Sequence, residues 1–293
     1  MFFIKPLLKA STIQLLRFHF SYFLMPVYWF ALSFLDKIHW PHALLVFFII
    51  HLLIYPSSNG YNSYMDRDTE SIGGLENPMQ PTRQLFQVSV FMDLLAILLS
   101  LLISFWFTAA TIIYITCSRL YSFRGIRLKR FPVLGYITVT LNQGGLVFFM
   151  VYHGADYFLS TNPPWQGIAA AVFLIGGFYP ITQVYQHNAD KADGVTTVSM
   201  LLGKRGTFIF CALMYLISFG ILFQYYQTNG KSTYFLILQA FFLPVIGFFI
   251  WWLTKVWHND GTANFRNTMR MNWLASTCTN LGFICIILIK QFG

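Results

Sequence analysis

The sequence predicts an all-α integral membrane protein: nine transmembrane helices around a central cavity, with a cytoplasmic N-terminus. Three observations predict it. Hydrophobic residues make up 56% of the 293, charged residues 10%, and mean hydropathy is +0.58. An ordinary soluble domain has about a quarter charged residues, so that class is excluded. Charge-poor runs recur at about the 20 residues a helix needs to cross a hydrocarbon core. Of the 19 lysines and arginines, all except Lys37, Lys231 and Lys290 fall before the first run or after an even-numbered one. By the positive-inside rule these loops and the N-terminus face the cytoplasm. Residues 1–293 then form one transmembrane domain, with polar loops at about 59–83, 119–131 and 186–205.

In order, the expected spans are 15–35, 41–57, 85–103, 105–121, 132–153, 166–186, 206–226, 233–254 and 272–290. The N-terminal stretch carries Lys5 and Lys9 but no short apolar core with a small-residue cleavage site. The first span is therefore expected to be retained. Arg17 and His19 stand at its entry, where Arg17 either snorkels to lipid phosphates or faces inward. Asp93 lies one or two turns inside the third, where a carboxylate must face the bundle interior or cap a contact near the interface. Asn142 and Gln143 beside Gly144 and Gly145 suit close helix packing in the fifth. His51 and His153 are expected to be packed or interfacial. Cys117, Cys211, Cys278 and Cys285 lack metal or disulfide spacing. Most of the 32 Phe, 16 Tyr and 8 Trp must face lipid or its interface, with a minority left to line a cavity.

Chemistry concentrates in the loops. Asn62, Asp66 and Glu70 recur every four residues. In a continuous helix they drift by only about 40° per step, so three oxygen-bearing side chains share one face. Stacked carboxylates repel unless a cation lies between them, and hard oxygen ligands suit Mg²⁺. Asp68 falls off that face. Gln186 and Asp190 repeat the spacing at the end of the sixth span, with Lys191 adjacent and Gly194 as a helix stop. The loop after the fourth span is the most basic, with Arg119, Tyr121, Ser122, Arg124, Arg127, Lys129 and Arg130. The net charge of +9 is mostly a topology signal, since the basic residues sit in short loops between spans. Nucleic acid is a poor partner for such a surface.

Two oxygen-rich motifs, each closing an apolar helix, resemble those of the UbiA superfamily of intramembrane prenyltransferases. Its first motif, N-x-x-x-D-x-x-x-D, is similar to Asn62, Asp66 and Glu70. Its second, D-x-x-x-D, is similar to Gln186 and Asp190 followed by GVTTVSMLLG at 194–203. Tyr121-Ser122 with Arg127 and Lys129 also fits. The resemblance implies Mg²⁺ held by Asn62, Asp66, Glu70, Gln186 and Asp190. It implies an isoprenyl diphosphate bound by Arg17, Arg67, Tyr121, Arg127, Lys129 and Lys191, with Asp66, Asp190 and Lys129 catalytic. A prenyl group would then pass to a lipophilic, aromatic acceptor on the cytoplasmic side, with its tail in membrane lipid.

Three residues depart from the family pattern. Glu70 stands for the third Asp, Gln186 for the first Asp of the second motif, and Asn77 for an Arg before Pro78. Altered second-motif ligands leave a terpene cyclase of the same fold as an alternative. A non-catalytic prenyl-lipid binder or transporter ranks last, because the polar clusters lie at one face only.

Overall fold

The structure, a computed structural model, describes residues 8–292, and Lys5 lies outside them. Over those residues the chain is helical, without strands beyond two isolated bridges. Its helices are α1 (Ala10–Leu16), α2 (Ser21–Phe34), α3 (Trp40–Asp66), α4 (Arg83–Ser100), α5 (Phe105–Ser122) and α6 (Pro132–Ala155). They continue as α7 (Trp165–Ile181), α8 (His187–Ala192), α9 (Val198–Thr228), α10 (Ser232–His258) and α11 (Phe265–Phe292). Among the described residues, α3, α4, α6, α9, α10 and α11 are long and apolar enough to cross a membrane. The remaining expected spans correspond to α2, α5 and α7, which are shorter or more polar.

Three boundaries differ from those read in the sequence. The first span is broken, because Arg17 adopts the left-handed conformation (φ 47°) and ends α1 before α2 begins at Ser21. The second runs nine residues past its apolar stretch, since Ser57, Gly60, Tyr61 and Ser63 are buried inside the bundle rather than solvated. The sixth stops at Ile181, and Gln186 becomes the residue that opens α8.

Glycines set the closest approaches. A Cβ on Gly144 would lie 2.7 Å from the Ala171 carbonyl oxygen, so α6 and α7 meet backbone to backbone. One on Gly177 would lie 2.9 Å from Cζ of Tyr215, which fixes α7 against α9. α6 also contains a π-helical stretch, Thr140–Leu146, that turns Asn142 and Gln143 inward. Such stretches recur at functional sites.

Asp93 faces the interior. Its carboxylate accepts from Arg119 Nε at 3.0 Å and from the Ser57 hydroxyl, tying α3, α4 and α5 together. The Arg119 guanidinium also lies 4.1 Å from the centroid of the Tyr61 ring. At the far end of the bundle, Lys290 and Lys231 approach Asp36 at 3.4 and 3.9 Å, and Lys37 lies over Tyr157. The three cations set apart by the sequence thus share one end. His51 and His153 are packed: His51 Nδ1 pairs with Ser21 at 2.8 Å, and His153 Nε2 with Ser104 at 2.6 Å. All four cysteines are free.

Candidate active site

Polar ends of α3, α5, α7 and α8 converge on one cavity of about 210 Å³. The last turns of α3 supply Asn59, Asn62 and Asp66. α3 ends because Arg67 takes a left-handed conformation (φ 56°), its N–H returning to the Ser63 carbonyl at 3.0 Å. Asp68 then turns back to line the cavity, while Glu70 is exposed and outside its lining. The expected stack of Asn62, Asp66 and Glu70 on one helix face is therefore corrected. The helix does not reach residue 70, and Asp68 rather than Glu70 lines the cavity.

Arg17 enters from the break between α1 and α2. It donates to the Gly73 and Asn59 carbonyls, each at 3.2 Å, and so holds the loop after α3 over the mouth. Arg127 (φ 53°) is the third arginine in left-handed backbone at this end of the bundle. Non-glycine residues are uncommon there, and such strain of order 1 kcal/mol or more clusters at functional sites. At Arg127 the turn projects Lys129 inward. Gly135 lets α6 begin against that turn, since a Cβ there would meet Lys129 Cα at 3.2 Å.

Asp66 is saturated. Arg127 donates to one oxygen at 3.3 Å and Lys129 to the other. Arg127 is itself anchored by Asp193, donating to its carbonyl at 2.9 Å and pairing with its carboxylate. Asn62 donates to the Ser122 hydroxyl at 3.0 Å. The Tyr121 and Tyr179 hydroxyls are hydrogen-bonded, and Gln183 Nε2 donates to Tyr179 at 2.9 Å.

Asp190 differs. The α8 turn that carries it closes with two bonds, Gly194 N–H to the Lys191 carbonyl at 3.2 Å and Val195 N–H to the Asp190 carbonyl at 2.8 Å. Its Oδ2 is buried without a hydrogen-bond partner. Burial, with Asp68, Asp66 and Asp193 nearby and only partly offset by Lys129, pushes its carboxyl up to about 7. Burial and then the Asp66 charge likewise raise the Asp68 carboxyl.

Of the residues expected from sequence, Arg17, Asn62, Asp66, Tyr121, Lys129, Gln186 and Asp190 line this cavity. Gln186 donates to the Ser71 carbonyl at 3.4 Å. Arg127 is buried behind Asp66. Arg67 and Lys191 are exposed and outside the lining, because one caps α3 and the other sits on the outer side of α8. Arg124 holds the Met65 and Asp66 carbonyls at 2.6 and 3.2 Å, and Arg130 lies over Phe131. The sequence reading missed Asp68, Asp193 and the Tyr179–Gln183 pair. Among the described residues, no three His, Cys, Asp or Glu side chains are close enough to hold a metal unaided.

The family model that matches is that of the UbiA prenyltransferase family, over residues 23–274. The chain belongs to that family. Solved structures share the UbiA fold at low identity. A homologue from Archaeoglobus fulgidus bound to GPP and Mg²⁺ is 18% identical with a TM-score of 0.69, covering 95% of this chain and 99% of its own. An apo homologue from Aeropyrum pernix K1 is 15% identical with a TM-score of 0.68, covering 91% and 97%. A digeranylgeranylglyceryl phosphate synthase structure is 18% identical with a TM-score of 0.62, covering 95% and 96%. No curated protein matches.

Proposed function

We propose that this UbiA-family chain ionises an isoprenyl diphosphate in its polar cavity and transfers the prenyl group to a lipophilic, aromatic acceptor. The observation that carries it is the buried, unpartnered oxygen of Asp190, sharing one cavity with Asp66, Asp68 and Lys129. An unpaired carboxylate oxygen in a buried wall is costly unless a ligand completes it. Three carboxylates beside one lysine suit a cation that arrives with an anion.

Asn62, Asp66, Asp68, Gln186 and Asp190 are the hard oxygen donors that would hold Mg²⁺, Asp68 standing in for Glu70. Mg²⁺ favours one or two carboxylates completed by water and substrate phosphate, which fits a site without three acidic groups clustered on one point. Homologues bound to GPP and Mg²⁺ or to DMAPP and Mg²⁺ support the assignment. Bound there, Mg²⁺ supplies Lewis-acid neutralisation of the diphosphate.

The chain does the rest. Lys129 and Arg17 offer positive charge where the departing diphosphate accumulates negative charge, with Arg127 fixing Asp66 and so the lysine. Tyr121, held by Tyr179, donates to a phosphate oxygen. Phe20, Leu24, Val139 and Phe178 keep water from the allylic cation until the acceptor arrives. The ring of Tyr114, which also lines the cavity, offers its negative face to the cation. We take α2–α7 and α9–α11 as nine crossings, with the cavity opening to the cytoplasm, in keeping with the loop charges.

The test is incubation of purified protein with Mg²⁺ and geranyl, farnesyl or geranylgeranyl diphosphate, with and without aromatic acceptors. Pyrophosphate release with consumption of acceptor is the expected outcome. Cyclic hydrocarbon formed without acceptor would replace transfer by cyclisation, and intact diphosphate throughout would overturn the proposal.

A further inference from the structure

A second cavity lies between α2, α7, α9, α10 and α11, and it is lined almost wholly by apolar side chains. Its polar residues are Tyr215, Ser276 and Thr279, and the Ser276 hydroxyl is already committed to the Phe23 carbonyl at 3.4 Å. Phe178, and no other described residue, lines both cavities. The two also approach along α2, where Phe20 and Leu24 face the polar cavity while Phe23 and Val27 face the apolar one.

Phe178 is held at this partition by its neighbours. Gly177 packs against the Tyr215 ring, fixing the backbone, and the Tyr179 hydroxyl is bonded to Tyr121 in the polar cavity. Its own side chain is only half-buried and has no hydrogen bond to hold it. What fits beyond it is determined by chemistry. A hydroxylated or ring-carbonyl acceptor would find only the Tyr215 and Thr279 hydroxyls to pair with in the second cavity. A polyisoprenoid chain has no polar groups and gains by burying its methylenes.

We propose that Phe178 sets the length of isoprenyl chain this protein accepts. A short chain ends against the ring inside the first cavity. A longer one swings the ring aside and runs into the second cavity, anchored at its diphosphate end by the residues already described. This inference rests on the isoprenyl diphosphate chemistry proposed above.

The test uses full-length protein in detergent with Mg²⁺. It measures kcat/KM for pyrophosphate release with geranyl, farnesyl and geranylgeranyl diphosphates, and thermal unfolding of each variant. Removing or adding this bulk is expected to shift the geranylgeranyl-to-geranyl ratio by about tenfold or more, the scale on which apolar pockets discriminate size. Phe178→Ala should raise the ratio, with Phe178→Leu intermediate, and Phe178→Trp should lower it. Ala275→Phe fills the second cavity from α11 without touching the first, and should lower the ratio as well. If the wild type releases pyrophosphate and the folded Phe178 and Ala275 variants all keep its ratio, Phe178 is not the gauge. A wild type silent at every chain length would sink the underlying chemistry, and this inference with it.

Discussion

Asp93 and Asp190 are both carboxylates carried into the helical bundle, and their surroundings are opposite. Asp93 is met by Arg119 and Ser57, and the guanidinium is covered on one face by Tyr61. Asp190 has an oxygen with no partner, and its carboxylate neighbours raise its carboxyl further. The backbone around it is nonetheless well closed at Gly194. An acidic group satisfied by the protein holds helices together, whereas one left bare by an otherwise well-bonded turn awaits something from outside.

The largest effect expected from this contrast is at the satisfied site. Asp93→Ala leaves the mostly enclosed Arg119 without its counter-ion and should destabilise the protein by about 3–5 kcal/mol, read by thermal or denaturant unfolding. Asp190→Asn should do the reverse: little loss of stability, but pyrophosphate release reduced on the order of a hundredfold or more, about 3 kcal/mol of transition-state stabilisation. Equal effects of the two substitutions on unfolding would erase the distinction.

A pH series sharpens it. The Asp190 carboxyl, raised from 3.8 to about 7, binds its proton more tightly folded than unfolded. Its ionisation therefore destabilises the metal-free protein, a penalty absent below about pH 4 and complete above about pH 7. The stability of Asp190→Asn relative to wild type should accordingly rise with pH across that window. A flat difference would place the charge elsewhere.

A smaller effect separates the two acidic residues after α3. Asp68→Asn should lower pyrophosphate release by about tenfold, as expected for loss of one charged contact. Glu70→Gln, exposed and outside the cavity, should stay within about twofold.

How much of this was legible in the sequence depends on what each signal measures. The apolar runs gave the long helices, because hydropathy records what a bilayer or a core demands. They failed at three ends for identifiable reasons. Residues 57–66 are polar yet helical, since they line or pack behind a cavity. Arg17 interrupts an apolar run through left-handed backbone rather than composition, and α7 gives way after Ile181 to i→i−3 turns at Thr182 and Gln183. The four-residue spacing of Asn62 and Asp66 put both on one helix, and both line the cavity. Extending it to Glu70 assumed a helix that Arg67 ends, and no glycine or proline stands there to signal the stop. Asp193 was invisible because its role, fixing Arg127, exists only once a loop 66 residues away in sequence is folded against it.

The measurement closest to the central claim is the unfolding temperature at pH 7.5 with and without Mg²⁺ plus inorganic pyrophosphate. It is compared across wild type, Asp190→Asn and Glu70→Gln. Ligand binding to the folded state raises stability by mass action, so wild type and Glu70→Gln should both shift upward while Asp190→Asn shifts little or not at all. An Asp190→Asn shift equal to that of wild type would show that the bare oxygen is not where the ligand binds.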